Sequence, residues 1–283
     1  MTDKIVQNLD ISLFTQSFGN KRNPPVLLIA GATVSMLFWD TEFCQKLADK
    51  GLFVIRFDFR DTGKSTSVPE GTANYNMLDF ADDLISILDS YEISAAHLVG
   101  ISLGGMIAQI LAIRNSDRVK SLTLLSTMPW GDSEFPIPEM NKRILDFHAK
   151  GSDINWENED KVVHYMLQGS QLMSGKKPLN VLREENYLRE SYRRANNFRS
   201  QFNHASISGG MEYYNQLDKI KVPVLVIHGT EDIICHFQNA MALMQKLRGQ
   251  NLVVLEGTGH ELHEEDWDLI INSIVSMVKM LEQ

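Results

Sequence analysis

Short, largely apolar runs alternate with longer amphipathic stretches along most of this sequence. The runs cover residues 26–30, 53–57, 95–99, 121–126, 223–228 and 251–255. Their length and continuity predict strands covered on both faces. Between them, apolar residues recur at helical spacing: Trp39, Phe43 and Leu47; Leu84, Ile87, Leu88 and Tyr91; Ala240, Leu243, Met244 and Leu247. A last stripe from Trp267 through Ile270, Ile274 and Val278 to Leu281 predicts a C-terminal helix. Alternating strands and helices predict an α/β class with a mostly parallel sheet and helices on both faces. Near the start, Ile5-Val6 and Ile11–Phe14 alternate weakly, as in an antiparallel hairpin at a sheet edge.

The alternation stops between Pro129 and Gln216. No strand pattern is written there, and charged, helical segments occupy residues 139–150, 157–168 and 178–196. The expected organisation is an α/β core in two parts, residues 1–128 and 217–283, with a helical cap inserted at 129–216. Met128, Trp130 and Phe135 stand where the insertion leaves a core strand, so they are the candidates for lining a substrate pocket. The competing reading of such residues is packing within the cap.

Composition narrows the function classes. A hydrophobic share of 43% and a charged share of 22% in 283 residues are ordinary for a globular protein. The net charge of −9, from 27 basic and 36 acidic residues, disfavours nucleic acid and anionic membrane surfaces as partners. Cys44 and Cys235 lack metal-type spacing and do not suggest a disulfide framework. Residues 1–7 have no apolar signal core, and no run approaches the ~20 residues of a membrane span. A cytoplasmic location is therefore expected, and the oligomeric state stays open.

The chemistry centres on Gly100-Ile101-Ser102-Leu103-Gly104-Gly105, between a predicted strand and a predicted helix. A strand that reverses directly into a helix crowds its own backbone, so small residues are needed two before and two after the apex. The apex serine is then pushed out above the sheet, beside the N–H groups of a helix N-terminus. A serine nucleophile needs a base and an orienting acid. Of eight histidines, His97 and His228 fall inside strands, and His148, His164 and His204 fall in the insertion, at its surface or in its packing. His236 opens a helix. His260 follows the last strand in a glycine-flanked loop, where a parallel sheet gathers its functional side chains, with His263 as the rival. Asp232, in the turn after residues 223–228, is the matching acid. Glu231 is expected to point away, and Asp132 is the nearest acid after residues 121–126.

These motifs carry a resemblance. Gly31-Ala32 through Trp39, Arg56-Phe57-Asp58-Phe59-Arg60-Asp61-Thr62-Gly63-Lys64-Ser65-Thr66, the Ser102 motif, Gly229-Thr230-Glu231-Asp232 and Gly257-Thr258-Gly259-His260 resemble the α/β-hydrolase fold superfamily. Within it, the chain is similar to aclacinomycin-methylesterase-like serine hydrolases. The resemblance implies a mostly parallel eight-stranded sheet with an inserted helical cap, and a triad of Ser102, Asp232 and His260. It also implies an oxyanion hole of the Ala32 and Leu103 N–H groups, Thr33 being the less favoured donor. Many relatives carry His-Gly where this chain has Ala30-Gly31, and Arg-Gly where it has Arg60-Asp61. The methylesterase-like branch shares the aspartate. Arg60 and Asp61 are expected to hold their loop rather than take part in chemistry.

The function this implies is hydrolysis of a small-molecule carboxylic ester through an acyl-enzyme, with no metal or organic cofactor. The alternatives keep the triad: acyltransferase or perhydrolase activity, or a ligand-binding receptor with negligible turnover.

Overall fold

Eight strands line up in one sheet in the computed structural model, which describes residues 1–247 and 251–283. In chain order they are β1 (Thr2–Asn8), β2 (Ile11–Phe18), β3 (Pro25–Ile29), β4 (Phe53–Phe57), β5 (Ala96–Ile101), β6 (Val119–Leu125), β7 (Val224–Gly229) and β8 (Asn251–Leu255). Across the sheet the order is β1-β2-β4-β3-β5-β6-β7-β8. β2 pairs antiparallel with β1 and β4, and every other pairing is parallel. β4 and β5 are buried at every position, including Arg56 and His97 within their otherwise apolar sequences, whereas β1 alternates towards solvent at the edge.

The core helices are α1 (Thr41–Asp49), α2 (Met77–Ser90), α3 (Leu103–Arg114), α7 (Gln238–Lys246) and α8 (Trp267–Leu281), with α4 to α6 lying between β6 and β7. α1 packs with α8 and α2 with α3, which gives the sheet a helical layer on each face. The apolar stripe on α1 begins later than its spacing suggests. Asp40 caps the helix by accepting from the Glu42 N–H at 2.7 Å, so Trp39 sits in the turn before it. Trp39 is nonetheless fully buried, with its ring 5.7 Å from that of Phe43.

Between β6 and β7 the described residues form no strand. They build α4 (Lys142–Ala149), α5 (Glu159–Met173) and α6 (Val181–Arg194), then 3-10 turns over Phe198–Ser206. Phe147 stacks on Tyr165 at 4.4 Å, and Trp156 meets Tyr165 and Phe202 edge-on, forming a small aromatic core for this segment. The two ends of the segment are stitched together. Asn215 donates its backbone N–H to the Trp130 carbonyl at 3.1 Å and its side-chain amide to Asp132 at 2.7 Å. Asp132 returns its backbone N–H to the Asn215 side chain at 2.6 Å.

Two buried ion pairs tie the loops above the sheet. Arg60 forms a fork with Asp83 of α2 at 2.8 and 2.7 Å. Arg194, at the end of α6, does the same with Asp58, just past β4, at 2.8 and 2.7 Å. Asp61 adopts φ +67°, in the left-handed region that favours glycine, a conformation that aspartate tolerates better than most side chains. Its carboxylate accepts from the Val68 N–H and from Asn203, and pairs with the Tyr75 hydroxyl.

Candidate active site

Ser102 joins β5 to α3 with φ +51° and ψ −121°, a strained conformation for a residue with a side chain. The flanking glycines are required by contact. A Cβ on Gly100 would lie 2.5 Å from the Gly104 carbonyl oxygen, and one on Gly104 would lie 2.4 Å from that of Ala30. The apex is fixed from the neighbouring strand as well, since the Ser102 N–H donates to the Leu125 carbonyl at 3.1 Å. The Cys235 thiol is buried against the Ser102 hydroxyl. Burial, with Asp232 nearby, pushes that thiol far above the ordinary range despite the opposing bond to Ser102, so it stays protonated and does not compete as a nucleophile.

Asp232 follows β7 and is 2% exposed, and His260 follows β8. The His260 Nδ1–H donates to Asp232 Oδ2 at 2.7 Å, which fixes the tautomer and leaves the Nε2 lone pair for another proton. The other carboxylate oxygen accepts the N–H groups of Ile234 and Cys235, both at 2.8 Å. Burial alone would raise this carboxyl. The adjacent His260, helped by His228 at 3.5 Å, overcomes it and holds Asp232 well below the usual carboxylate range. The sequence reading missed this second histidine. His228 lies within β7 and donates to the Cys235 carbonyl at 2.5 Å, bracing the turn that presents Asp232. His263 is turned elsewhere. Its Nδ1 accepts the Glu265 N–H and its Nε2 donates to the Pro178 carbonyl. Glu231 points out to Lys176 at 2.7 Å.

Gly31 and Ala32 run beside the serine. A Cβ built on Gly31 would be 3.4 Å from Ser102 Cβ. Among the described residues, no protein group accepts the N–H of Ala32 or of Leu103. The N–H of Thr33 is engaged, donating to His204 Nδ1 at 3.1 Å, while His204 Nε2 donates to the Arg60 carbonyl at 2.8 Å. Thr33 has φ +61°, unusual for a β-branched residue, and this histidine holds it there. His204 is buried edge-on to Phe59 and Phe80, and so belongs to packing rather than to the surface. It links the helical segment to the loop beside Ser102 across 171 positions of sequence, which no local pattern could reveal.

Burial lowers His204 in pKa, against weaker raising effects from the Arg60 carbonyl and Asp61. In the unfolded chain a histidine gains its proton as pH falls through about 6.5. Below that the unfolded state binds more protons, so stability declines with falling pH until the lowered folded value is reached. We expect the urea midpoint to fall between about pH 7.5 and 5.5, and to fall less steeply in His204→Gln. His97 and His148, also lowered by burial, add to the slope with the same sign, while the Asp83 and Glu184 carboxyls, raised by burial, oppose it. Equal slopes in the two proteins would remove His204 from this linkage.

Ser102 and His260 open into one cavity of about 1500 Å³ between the sheet and the helical segment. Met128 and Trp130 line it, but Phe135 does not. The chain turns at the Asp132–Asn215 stitch and carries the next residues towards α7, where Glu134 bonds Gln245 and Lys246. Phe135 leaves the cavity with them. Trp130 also serves packing, donating its indole N–H to the Gly210 carbonyl at 3.0 Å. Among the described residues no cluster of three or more His, Cys, Asp and Glu side chains could hold a metal ion, and no helix is long and apolar enough to cross a membrane.

The family model for the alpha/beta hydrolase fold matches residues 24–266. Rhodomycin D methylesterase DnrP of Streptomyces peucetius is 28% identical, the alignment covering 93% of each chain. Among solved structures, an esterase from Exiguobacterium antarcticum superposes with TM-score 0.76 at 20% identity, over 98% of this chain and all of that one. The 2-hydroxy-6-oxo-6-phenylhexa-2,4-dienoate hydrolase of Rhodococcus sp. strain RHA1 superposes with TM-score 0.75 at 20% identity, over 98% of both chains. These last two likenesses speak to the fold alone.

Proposed function

The chain belongs to the α/β-hydrolase fold family, and from that premise we propose that it is a carboxylic ester hydrolase acting on small molecules through Ser102, His260 and Asp232. The observation that carries the reading is that a strained serine and a histidine whose Nδ1–H is held on a buried carboxylate at 2.7 Å line the same cavity. Ser102 Oγ attacks the ester carbonyl while His260 Nε2 takes its proton. The Ala32 and Leu103 N–H groups receive the developing oxyanion, where preorganised donors matter most. Asp232 stabilises the imidazolium. His260 then protonates the departing alcohol, and water, deprotonated by the same histidine, releases the acid.

The helical segment at 129–216 acts as the cap of this site. Its cavity exceeds the usual ~300–1000 Å³ of small-molecule pockets, which suits a bulky ester. A methylesterase relative that covers 93% of the chain supports a small alcohol as the leaving group. The test is labelling with a fluorophosphonate, followed by hydrolysis of p-nitrophenyl and methyl esters. Labelling at Ser102 that is lost in Ser102→Ala, together with loss of turnover, is the expected result. Labelling that survives in Ser102→Ala would overturn the assignment.

A further inference from the structure

The loop that carries His260 is rich in glycine and cannot hold its own shape. Gly257 sits at φ +75°, and Gly259 directly precedes the histidine. So permissive a chain needs outside partners to present one side chain in one place. The floor of the site ties residues 257 and 258. The Gly257 N–H donates to the Thr230 hydroxyl at 2.9 Å, and the Thr258 carbonyl accepts the Glu231 N–H at 2.9 Å. The Thr258 hydroxyl donates to Asp266 at 2.5 Å.

The backbone of the histidine itself is tied from the other side, by the helical segment. Between α5 and α6 the chain runs antiparallel alongside this loop. His260 donates its backbone N–H to the Met173 carbonyl at 2.9 Å, and Lys176 donates its own to the Gly257 carbonyl at 2.6 Å. Glu261 Oε1 spans the two chains, accepting the Gly175 N–H at 3.0 Å and the Gly259 N–H at 3.3 Å. The approach leaves no room for side chains. A Cβ on Gly175 would lie 2.1 Å from the Gly257 carbonyl oxygen, and one on Gly259 would lie 2.1 Å from that of Met173. Each of these two glycines is required by the opposite chain. Lys176 and Lys177 fasten the segment sideways, to Glu231 at 2.7 Å and to Asp266. Asp232 fixes the direction of Nδ1, but a ring that pivots about that one bond still swings its Nε2. A bond on the backbone of the same residue removes that freedom. It matters because a general base must lie within hydrogen-bond reach of its proton, and about 1 Å of misplacement can cost about a hundredfold in rate.

We propose that residues 173–177, bridged by Glu261, are a positioning clamp through which the cap sets the reach of His260 Nε2 towards Ser102. The base is then competent only while the cap is seated on its loop. The proposal rests on the ester-hydrolase reading for the role of His260, and its test separates the two. Gly175→Ala forces the chains apart from a position outside the cavity wall. Glu261→Ala removes the shared acceptor, and Glu261→Gln keeps an oxygen there without the charge. With p-nitrophenyl butyrate, Gly175→Ala and Glu261→Ala should lose about 10- to 100-fold in kcat while KM stays within about twofold, because His260 serves acylation and deacylation and slows both together. Glu261→Gln should recover most of that loss. Deuterium exchange reads the clamp without turnover: the Gly259 and His260 amides should exchange about five- to tenfold faster in the two damaged variants. Circular dichroism verifies the fold, and if Gly175→Ala does not fold, the two Glu261 variants carry the test. An unchanged kcat, a raised KM at constant kcat, or a Glu261→Gln as slow as Glu261→Ala overturns the clamp. Faster exchange in variants of a protein that turns over no ester overturns the hydrolase reading and leaves the clamp on the His260 loop standing.

Discussion

Asp232→Asn should lower kcat/KM for a p-nitrophenyl ester by about 10³- to 10⁴-fold, with Ser102→Ala and His260→Ala at least as damaging. The asparagine keeps the shape of the turn but can present an N–H where Oδ2 accepts from His260 Nδ1 at 2.7 Å. The imidazole then loses its orientation and tautomer, and Nε2 can no longer serve as the base. Because the three groups act as one unit, Ser102→Ala/His260→Ala should be about as inactive as Ser102→Ala. His263→Ala should retain most activity, since that ring faces the Pro178 carbonyl. A collapse in His263→Ala with activity preserved in His260→Ala would reverse the assignment of the base.

The second large effect is on stability. Arg194→Ala should destabilise the fold by about 3–5 kcal/mol, because it strips the guanidinium from a carboxylate that is fully buried. Asp58 would keep only the Met36 and Lys64 N–H groups, at 2.9 and 3.0 Å. The diagnostic comparison is Asp58→Asn/Arg194→Met, which removes both charges together. Its urea-unfolding free energy should lie well above that expected from adding the two single losses. Strict additivity would mean that the fork contributes little beyond its separate parts. Since this fork also fixes the end of α6, ester selectivity should shift in Arg194→Ala at temperatures where the protein remains folded.

The parts of this architecture that sequence made legible are those written locally. β4 and β8 have the bounds their apolar runs predict. The turn at Ser102 could be read from sterics alone, because its glycines answer to contacts a few residues away. The resemblance to the methylesterase-like branch was visible in the motifs and agrees with the 28% identity to rhodomycin D methylesterase DnrP. What stayed hidden depends on distant partners. Asp58 and Arg194 stand 136 positions apart, and Thr33 and His204 stand 171 apart. Neither residue of either pair carries a local signature of its mate. Phe135 illustrates the converse: nearness in sequence to a strand end suggested the cavity wall, and one stitched turn sent it towards α7. His228 looked like strand filling because an apolar run such as that of β7 reports that its side chains are buried, not which buried group has a carboxylate within reach.

The stitch between Trp130–Asp132 and Tyr214–Asn215 has a consequence for how such proteins diversify. Bringing the ends of a long excursion together costs entropy that grows only slowly with its length. Here that closure is made at the base, by the excursion's own first and last residues, next to two strands that already pair in parallel. The sheet beneath therefore depends on what the junction carries at a few points, among them the Arg194–Asp58 fork and the His204–Thr33 bond. One roof can be exchanged for another of different length by recombination at this seam, provided the incoming roof answers Asp58, the Thr33 loop and the His260 loop. Selectivity and chemistry can then drift at separate rates within a single lineage.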